Sequence, residues 1–261
     1  MKILIAESKT MAPCLAAVSR DDYLNHRAKT DSIATSMMRQ WGEWNLGEIA
    51  SRFKLSAKLA RSMQNYIYDF PNKTNGEKAI EAFTGVVFKA FDYASLSQEE
   101  KETVQNNVRI VSSLYGLLLP EDIIKPYRLD FTSKVSPTGG TMADYWKMTL
   151  KGMLGDTLGD DTEILDLLPG DAAKCIDWRT LPMLSRMKVD FKEVKASETG
   201  DGTLSYKTPI ANKLKMLRGK LLRHIIKEGI DSFDALRNFE GPDFQPDPEL
   251  SSSTNLVMLT D

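Results

Sequence analysis

Strands interleaved with helices predict a mixed α/β domain with a central mixed sheet and surrounding helices. Three observations carry that prediction. The chain starts on a short apolar, β-favouring run, KILIA (2–6). A second buried run, EILDLLP (163–169), has the look of a core strand. Long stretches with helical spacing lie between and after them, above all 30–69 and 212–228. No internal repeat and no long linker divides the 261 residues, so one domain spanning 1–261 is expected.

Taken in order, 30–69 places Trp41, Trp44, Leu46, Ile49, Phe53, Leu55, Leu59, Met63 and Ile67 near helical spacing. Gly76 to Phe83 is a further helix candidate. GVVFKAFDY (85–93) has the aromatic and β-branched content of a strand. Ser97 with Glu100 three residues on forms a capping box, opening a helix near 98. Val108, Ile110 and Val111 favour a strand from 108. Pro120, Pro126 and Pro137 exclude a long helix across 120–137. A helix is expected over 142–154, and an exposed, alternating strand over 188–195. GDG (200–202) then marks a hairpin turn, as Gly159–Asp160–Asp161 marks another turn. Gly229 is placed to end the basic helix. PDFQPDPEL (242–250) is expected to be irregular, and the acidic C-terminal segment 242–261 with it.

Composition excludes several classes. No run of about 18 apolar residues exists to span a membrane. The start, MKILIAES, is too soon interrupted by Glu7 and Lys9 to be a secretory signal, so a cytoplasmic protein is expected. Two cysteines, Cys14 and Cys175, and two histidines, His26 and His224, give no disulfide framework and no zinc spacing. Both cysteines read as small buried hydrophobes. No metal and no cofactor is expected. Phosphate-binding loops, nucleophile elbows and metalloprotease motifs are absent.

Net charge is -2, but its distribution is uneven. Residues 207–227 hold Lys207, Lys213, Lys215, Arg218, Lys220, Arg223 and Lys227 and no acid. Residues 228–261 hold eight acids against Arg237 alone. Wound at about 100° per residue, the basic segment gathers Leu214, Leu217, Leu221 and Ile225 on one arc. Lys213, Lys220, Arg223 and Lys227 take the opposite side, a cationic outer face. Arg218 falls inside the apolar arc, with Lys215 at its edge. A guanidinium there needs an acid, carbonyls or an anionic ligand, because leaving it unpaired costs several kcal/mol. Gly219 lets another backbone or a ligand approach.

Residues 46–67 have the form of two helices joined by a tight turn, with Ser56 capping the second. Arg52, Lys54, Lys58 and Arg61 lie nearby. A helix-turn-helix, a helix-hairpin-helix and an ordinary core helix pair all fit this pattern. The usual turn glycine is missing, with Lys54 in its place.

One block is more specific. SSLYGLLLPEDIIKPYRLDF (112–131), with Arg109 before it, resembles the most recognisable segment of the bacterial peroxide stress protein YaaA family. Lys215, Arg218–Gly219 and Arg223 fall on that family's spaced basic pattern. Lys9–Thr10, Tyr145–Trp146, Lys174 and Ser251–Ser252–Ser253 are supporting matches. The chain departs from the family at Ala6–Glu7–Ser8, where Ser-Pro-Ala is usual, and across 166–174. The resemblance implies a family-specific α/β fold with a helix-hairpin-helix-like element, for which 46–67 is the candidate. It also implies a cytoplasmic protein that limits peroxide damage, lowers free iron and binds duplex or branched DNA through a positively charged cleft. The scarcity of His and Cys then makes any effect on iron indirect.

Three functions follow as expectations. In the first, Lys9, Arg109, Arg128, Lys215, Arg218 and Arg223 contact DNA phosphates, while Arg52, Lys54 and Lys58 anchor through the helix pair. Little sequence preference is expected, and the protein is a monomer. In the second, an enzyme acts on a nucleotide, nucleobase or other small anionic ligand held by Arg109, Arg128 and Arg218. Tyr115 and Tyr127 then stack or donate a proton. In the third, an acidic C-terminal segment screens the basic helix of a partner-binding regulator.

Overall fold

Residues 1–12, 18–71, 76–158, 161–196 and 204–260 are described by the computed structural model. After β1 (Lys2–Ala6) come α1 (Arg20–His26), α2 (Asp31–Trp41), α3 (Leu46–Phe53) and α4 (Ala57–Asp69). A two-residue strand, β2 (Glu77–Lys78), leads into the single turn α5 (Ala79–Ala82) and then α6 (Val86–Phe91). α7 (Gln98–Asn107) runs directly into β3 (Val108–Ser112), followed by β4 (Gly116–Leu118) and β5 (Ile123–Ile124). Beyond these lie α8 (Met142–Leu158), β6 (Glu163–Asp166), α9 (Gly170–Ala173), β7 (Ser185–Ala196) and β8 (Leu204–Lys207). The chain finishes with α10 (Ala211–Lys227), α11 (Phe233–Arg237), β9 (Gln245–Asp247) and β10 (Asn255–Thr260).

Among the described residues, the fold is mixed α/β around an eight-stranded sheet ordered β4-β3-β1-β6-β7-β10-β9, with β8 pairing β7. β3, β1, β6, β7 and β10 run parallel, while β4, β8 and β9 are antiparallel additions. β1 lies between two parallel neighbours, which explains its unbroken apolar centre: Ile3, Leu4 and Ile5 are all buried. From β1 the chain goes to β3 on one side and later returns to β6 on the other. That reversal opens a crevice at the carboxyl ends of β1 and β6, the usual ligand position in open α/β sheets.

Several expectations need correction. Residues 86–91 are helical, not a strand. Gly85 and the left-handed Asp92 bound α6, and Phe88 and Phe91 bury one side of it. Packing against α10 overrides the β-favouring composition, and Gly219 permits it: a Cβ there would lie 2.2 Å from the Val87 carbonyl oxygen. Half of the 76–83 segment is helix, the single turn of α5, and β2 takes up its start. The acidic 242–250 stretch is not wholly irregular, since β9 pairs with β10. Its Pro246 is tolerated because β9 is an edge strand. β7 is half-buried rather than exposed, with Met187, Val189 and Phe191 facing the core. β10 also overturns the expectation of an irregular C-terminal segment, since its run NLVMLT carries the apolar content of a buried parallel strand and pairs with β7. Cys175 is buried; Cys14 and the 200–202 turn lie outside the described residues.

The helix pair forms as α3 and α4, with Asn45 and Ser56 capping their starts. Lys54 takes the turn position in the left-handed conformation, φ 53° and ψ 49°. A side chain there is strained, so Lys54→Gly is expected to stabilise the protein by about 1 kcal/mol. Urea unfolding of the two proteins measures this; an equal or lower midpoint for the variant refutes it.

Among the described residues, no helix is long and apolar enough to cross a membrane.

Candidate functional site

A cleft of about 410 Å³ occupies the crevice at the carboxyl ends of β1 and β6. Its floor is the end of β1 and the following loop, Ile5 to Thr10. Val86, Val87 and Phe88 at the start of α6, with Phe131, give it an apolar wall. Asp171, in α9 just after β6, adds a carboxylate, and α10 contributes Lys215 and Arg218. Gly219 is what lets α6 and α10 approach closely enough to close this side.

Glu7 is the residue that sequence reasoning did not assign. It follows β1 immediately, and its backbone N–H continues the sheet to the Val111 carbonyl at 2.9 Å. Its Oε2 accepts from the Ser113 backbone N–H at 2.9 Å and from the Tyr127 hydroxyl. Its Oε1 accepts from the Ser113 hydroxyl at 2.5 Å. The Ser112 hydroxyl accepts the N–H groups of Leu114 and Tyr115, so its own proton goes to Tyr127, at 2.7 Å. Tyr127 in turn donates to Glu7. Burial pushes the Glu7 carboxyl up to about 7, although the Ser113 and Tyr127 hydrogen bonds pull the other way. A carboxyl that titrates near neutrality in a cleft is suited to exchange protons with a ligand.

The cationic residues divide by position. Lys9, Lys215 and Arg218 line the cleft. The Lys9 ammonium also forms an ion pair with Asp130, another lining residue. Arg218 makes no hydrogen bond or ion pair among the described residues. Desolvation lowers its pKa, against the pull of Asp166, Asp190 and Asp171. Asp166 is already engaged by Arg186. Arg128 stands just behind, donating to the Lys9 carbonyl at 2.9 Å, and so fixes the loop that carries Lys9.

The remaining candidates lie elsewhere. Arg109 is buried near the start of β3, and its guanidinium reaches back to the Gln105 and Val108 carbonyls at 3.1 and 2.7 Å. That is the opposite end of the strand from the cleft. Arg223 donates to the Phe91 and Asp92 carbonyls and to Ser95, tying α10 to the end of α6. Arg52 covers the Trp44 ring at 4.5 Å, Lys54 makes the α3–α4 turn, and Lys58 is exposed at the start of α4. Tyr115 is fully buried, its hydroxyl accepting from the Lys125 N–H, so no ring face is open for stacking. Tyr127 is also buried and bonded to Glu7.

The outer face of α10 is not a bare cationic strip. Lys213 pairs with Glu193 at 2.9 Å, Lys220 with Asp243 at 2.5 Å and Lys227 with Glu100 at 3.4 Å. Arg223 pairs with Asp92 at 3.5 Å. Acids missing from the helix are supplied by elements packed beside it. Counted with full charges, the cleft sets Lys9, Lys215 and Arg218 against Glu7, Asp130 and Asp171. It is balanced rather than strongly positive.

Comparison with known proteins agrees with the motif block. The family model described as "Peroxide stress protein YaaA" matches residues 1–250. A UPF0246 protein of Acaryochloris marina is 31% identical over 234 residues, covering 88% of each chain. UPF0246 proteins of Parabacteroides distasonis and Shewanella baltica are each 30% identical, over 263 and 270 residues, covering 99% of each chain. The chain belongs to the peroxide stress protein YaaA (UPF0246) family.

Proposed function

We propose that this protein acts in the peroxide stress response by binding a small anionic molecule with an apolar or planar body in the β1–β6 cleft. A nucleotide or nucleobase derivative is the class that fits. Glu7 exchanges a proton with that molecule. The observation that carries this reading is Arg218: an inward guanidinium, without a protein partner among the described residues, opening onto the cleft that Glu7 also lines. Val86, Phe88 and Phe131 supply the apolar wall for the ligand body. A cleft of this volume is small for a duplex and adequate for a nucleotide.

Calorimetric titration with adenosine and guanosine monophosphates tests it, with adenosine as the uncharged control. A charge-assisted contact contributes roughly 1.5–3 kcal/mol, so Arg218→Gln is expected to weaken binding about tenfold or more. Equal affinity for adenosine, or unchanged affinity in the variant, refutes the reading.

A second reading is contact with duplex or branched DNA, limiting iron-driven damage at the bound sites. It is favoured by exposed Lys58 and Arg61 beside a shallow surface depression on α4. Binding would rest on phosphate charge and fall with salt. Fluorescence anisotropy of a labelled duplex across a salt series decides it, and a flat response between low and moderate salt removes it.

A further inference from the structure

We propose a second anion site, separate from the β1–β6 cleft, in the groove between α1 and α2. It would take a small molecule carrying a chain of phosphoryl groups. The groove has a volume of about 340 Å³, and Arg20, Arg27 and Arg39 line it with Lys125. All three arginines are exposed, and none makes a side-chain hydrogen bond or ion pair among the described residues. This contrasts with the outer face of α10, where each cation meets an acid.

The floor is built rather than incidental. Lys125 is only 7% exposed. Its ammonium donates to the Phe70 carbonyl at 2.7 Å and lies 4.8 Å from the Tyr23 ring centre and 5.0 Å from that of Phe70. An ammonium has three N–H groups, and one carbonyl is its only hydrogen-bond acceptor among the described residues. Desolvation lowers its pKa, and Asp31 raises it. Among the described residues, Asp31 is the one acid lining the groove, and one of its oxygens is occupied by the Tyr23 hydroxyl at 2.7 Å. Four cations against one carboxylate leave a clear positive excess.

The start of α2 adds to it. Thr30, at the N-cap, gives no side-chain cap, because its hydroxyl donates to the Tyr115 carbonyl at 2.6 Å. Ser32 in the first turn of this eleven-residue helix lines the groove, so the positive end of the helix lies along it. Asp31, Thr35 and Arg39 share one face of α2, and Asp31 to Arg39 spans about 12 Å along the axis. One phosphate does not reach from the first turn to Arg39. A ligand with several linked negative groups does.

Thermal melting and calorimetric titration with inorganic tripolyphosphate test the site, with sulfate at matched ionic strength as control. Wild type is expected to be stabilised by tripolyphosphate and much less by sulfate. An Arg20→Gln, Arg27→Gln, Arg39→Gln triple variant changes only exposed side chains and is expected to keep its fold. Its affinity should fall roughly tenfold or more, while Arg218→Gln retains wild-type affinity. Any of three results overturns the proposal: no tripolyphosphate binding, equal stabilisation by sulfate, or wild-type affinity kept in the triple variant.

Discussion

A Glu7→Gln protein is expected to be more stable than wild type above pH 7, with the advantage vanishing near pH 4.5. The folded carboxyl titrates at about 7 against an ordinary value of 4.5. Between those values the folded state holds a proton that the unfolded state has released. Stability therefore falls as pH rises through this window, and the loss is complete above about 7. Two and a half units correspond to at most about 3 kcal/mol. Glutamine removes the titration without breaking the hydrogen bonds. Its carbonyl oxygen can take the Ser113 N–H and the Tyr127 hydroxyl, and its amide can donate to the Ser113 Oγ that Glu7 Oε1 now meets. Urea unfolding at intervals from pH 4.5 to 8 measures the difference, and parallel curves for the two proteins refute it. Proton exchange by Glu7 predicts in addition that the variant loses the part of the pH dependence of ligand affinity between pH 6 and 8 that exceeds the ligand phosphate's own titration.

Gly116→Ala is expected to destabilise the protein by about 3 kcal/mol, the sum of a left-handed backbone penalty and overpacking. Gly116 has φ 77°, and a Cβ there would lie 2.6 Å from the Trp146 ring. Trp146 is fully buried and cannot swing aside freely, since its indole N–H donates to the Ser113 carbonyl at 2.8 Å. Ser113 is also the residue that grips Glu7. Displacing the indole therefore disturbs the cleft as well as the core. Chemical denaturation gives the stability change, and a variant within about 1 kcal/mol of wild type contradicts the packing argument. The Leu114–Tyr115–Gly116 block is thus structural: Tyr115 fills the core, and Gly116 makes room for the tryptophan.

How much of this was legible along the chain depends on the range of the interactions. The capping box at Ser97 and Glu100 acts over three residues, and α7 starts where it says. The apolar arc of α10 is a matter of local winding, and Leu217, Leu221 and Ile225 are buried as their spacing requires. Arg218's inward position came from the same periodicity. The α6 segment misled because β-branched and aromatic residues favour a strand only when a sheet receives them, whereas here α10 does. Arg109 and Arg128 share a motif block, yet they point to different ends of the sheet. The direction of β3 decides the first and the loop after β5, tied to the Lys9 carbonyl, the second, and spacing expresses neither.

By itself the sequence determined the mixed α/β class, the first strand, the amphipathic basic helix and, through its motif block, the family. Each rests on neighbours within a few turns or on a recognisable string of residues. Only the tertiary structure decided which cations meet in a cleft and which are neutralised by acids from other elements. It alone brought Ser113 and Tyr127, more than a hundred residues away in the chain, onto the Glu7 carboxyl. Charge balance and carboxyl pKa are set by distance through space and by desolvation, and neither exists until the sheet has assembled.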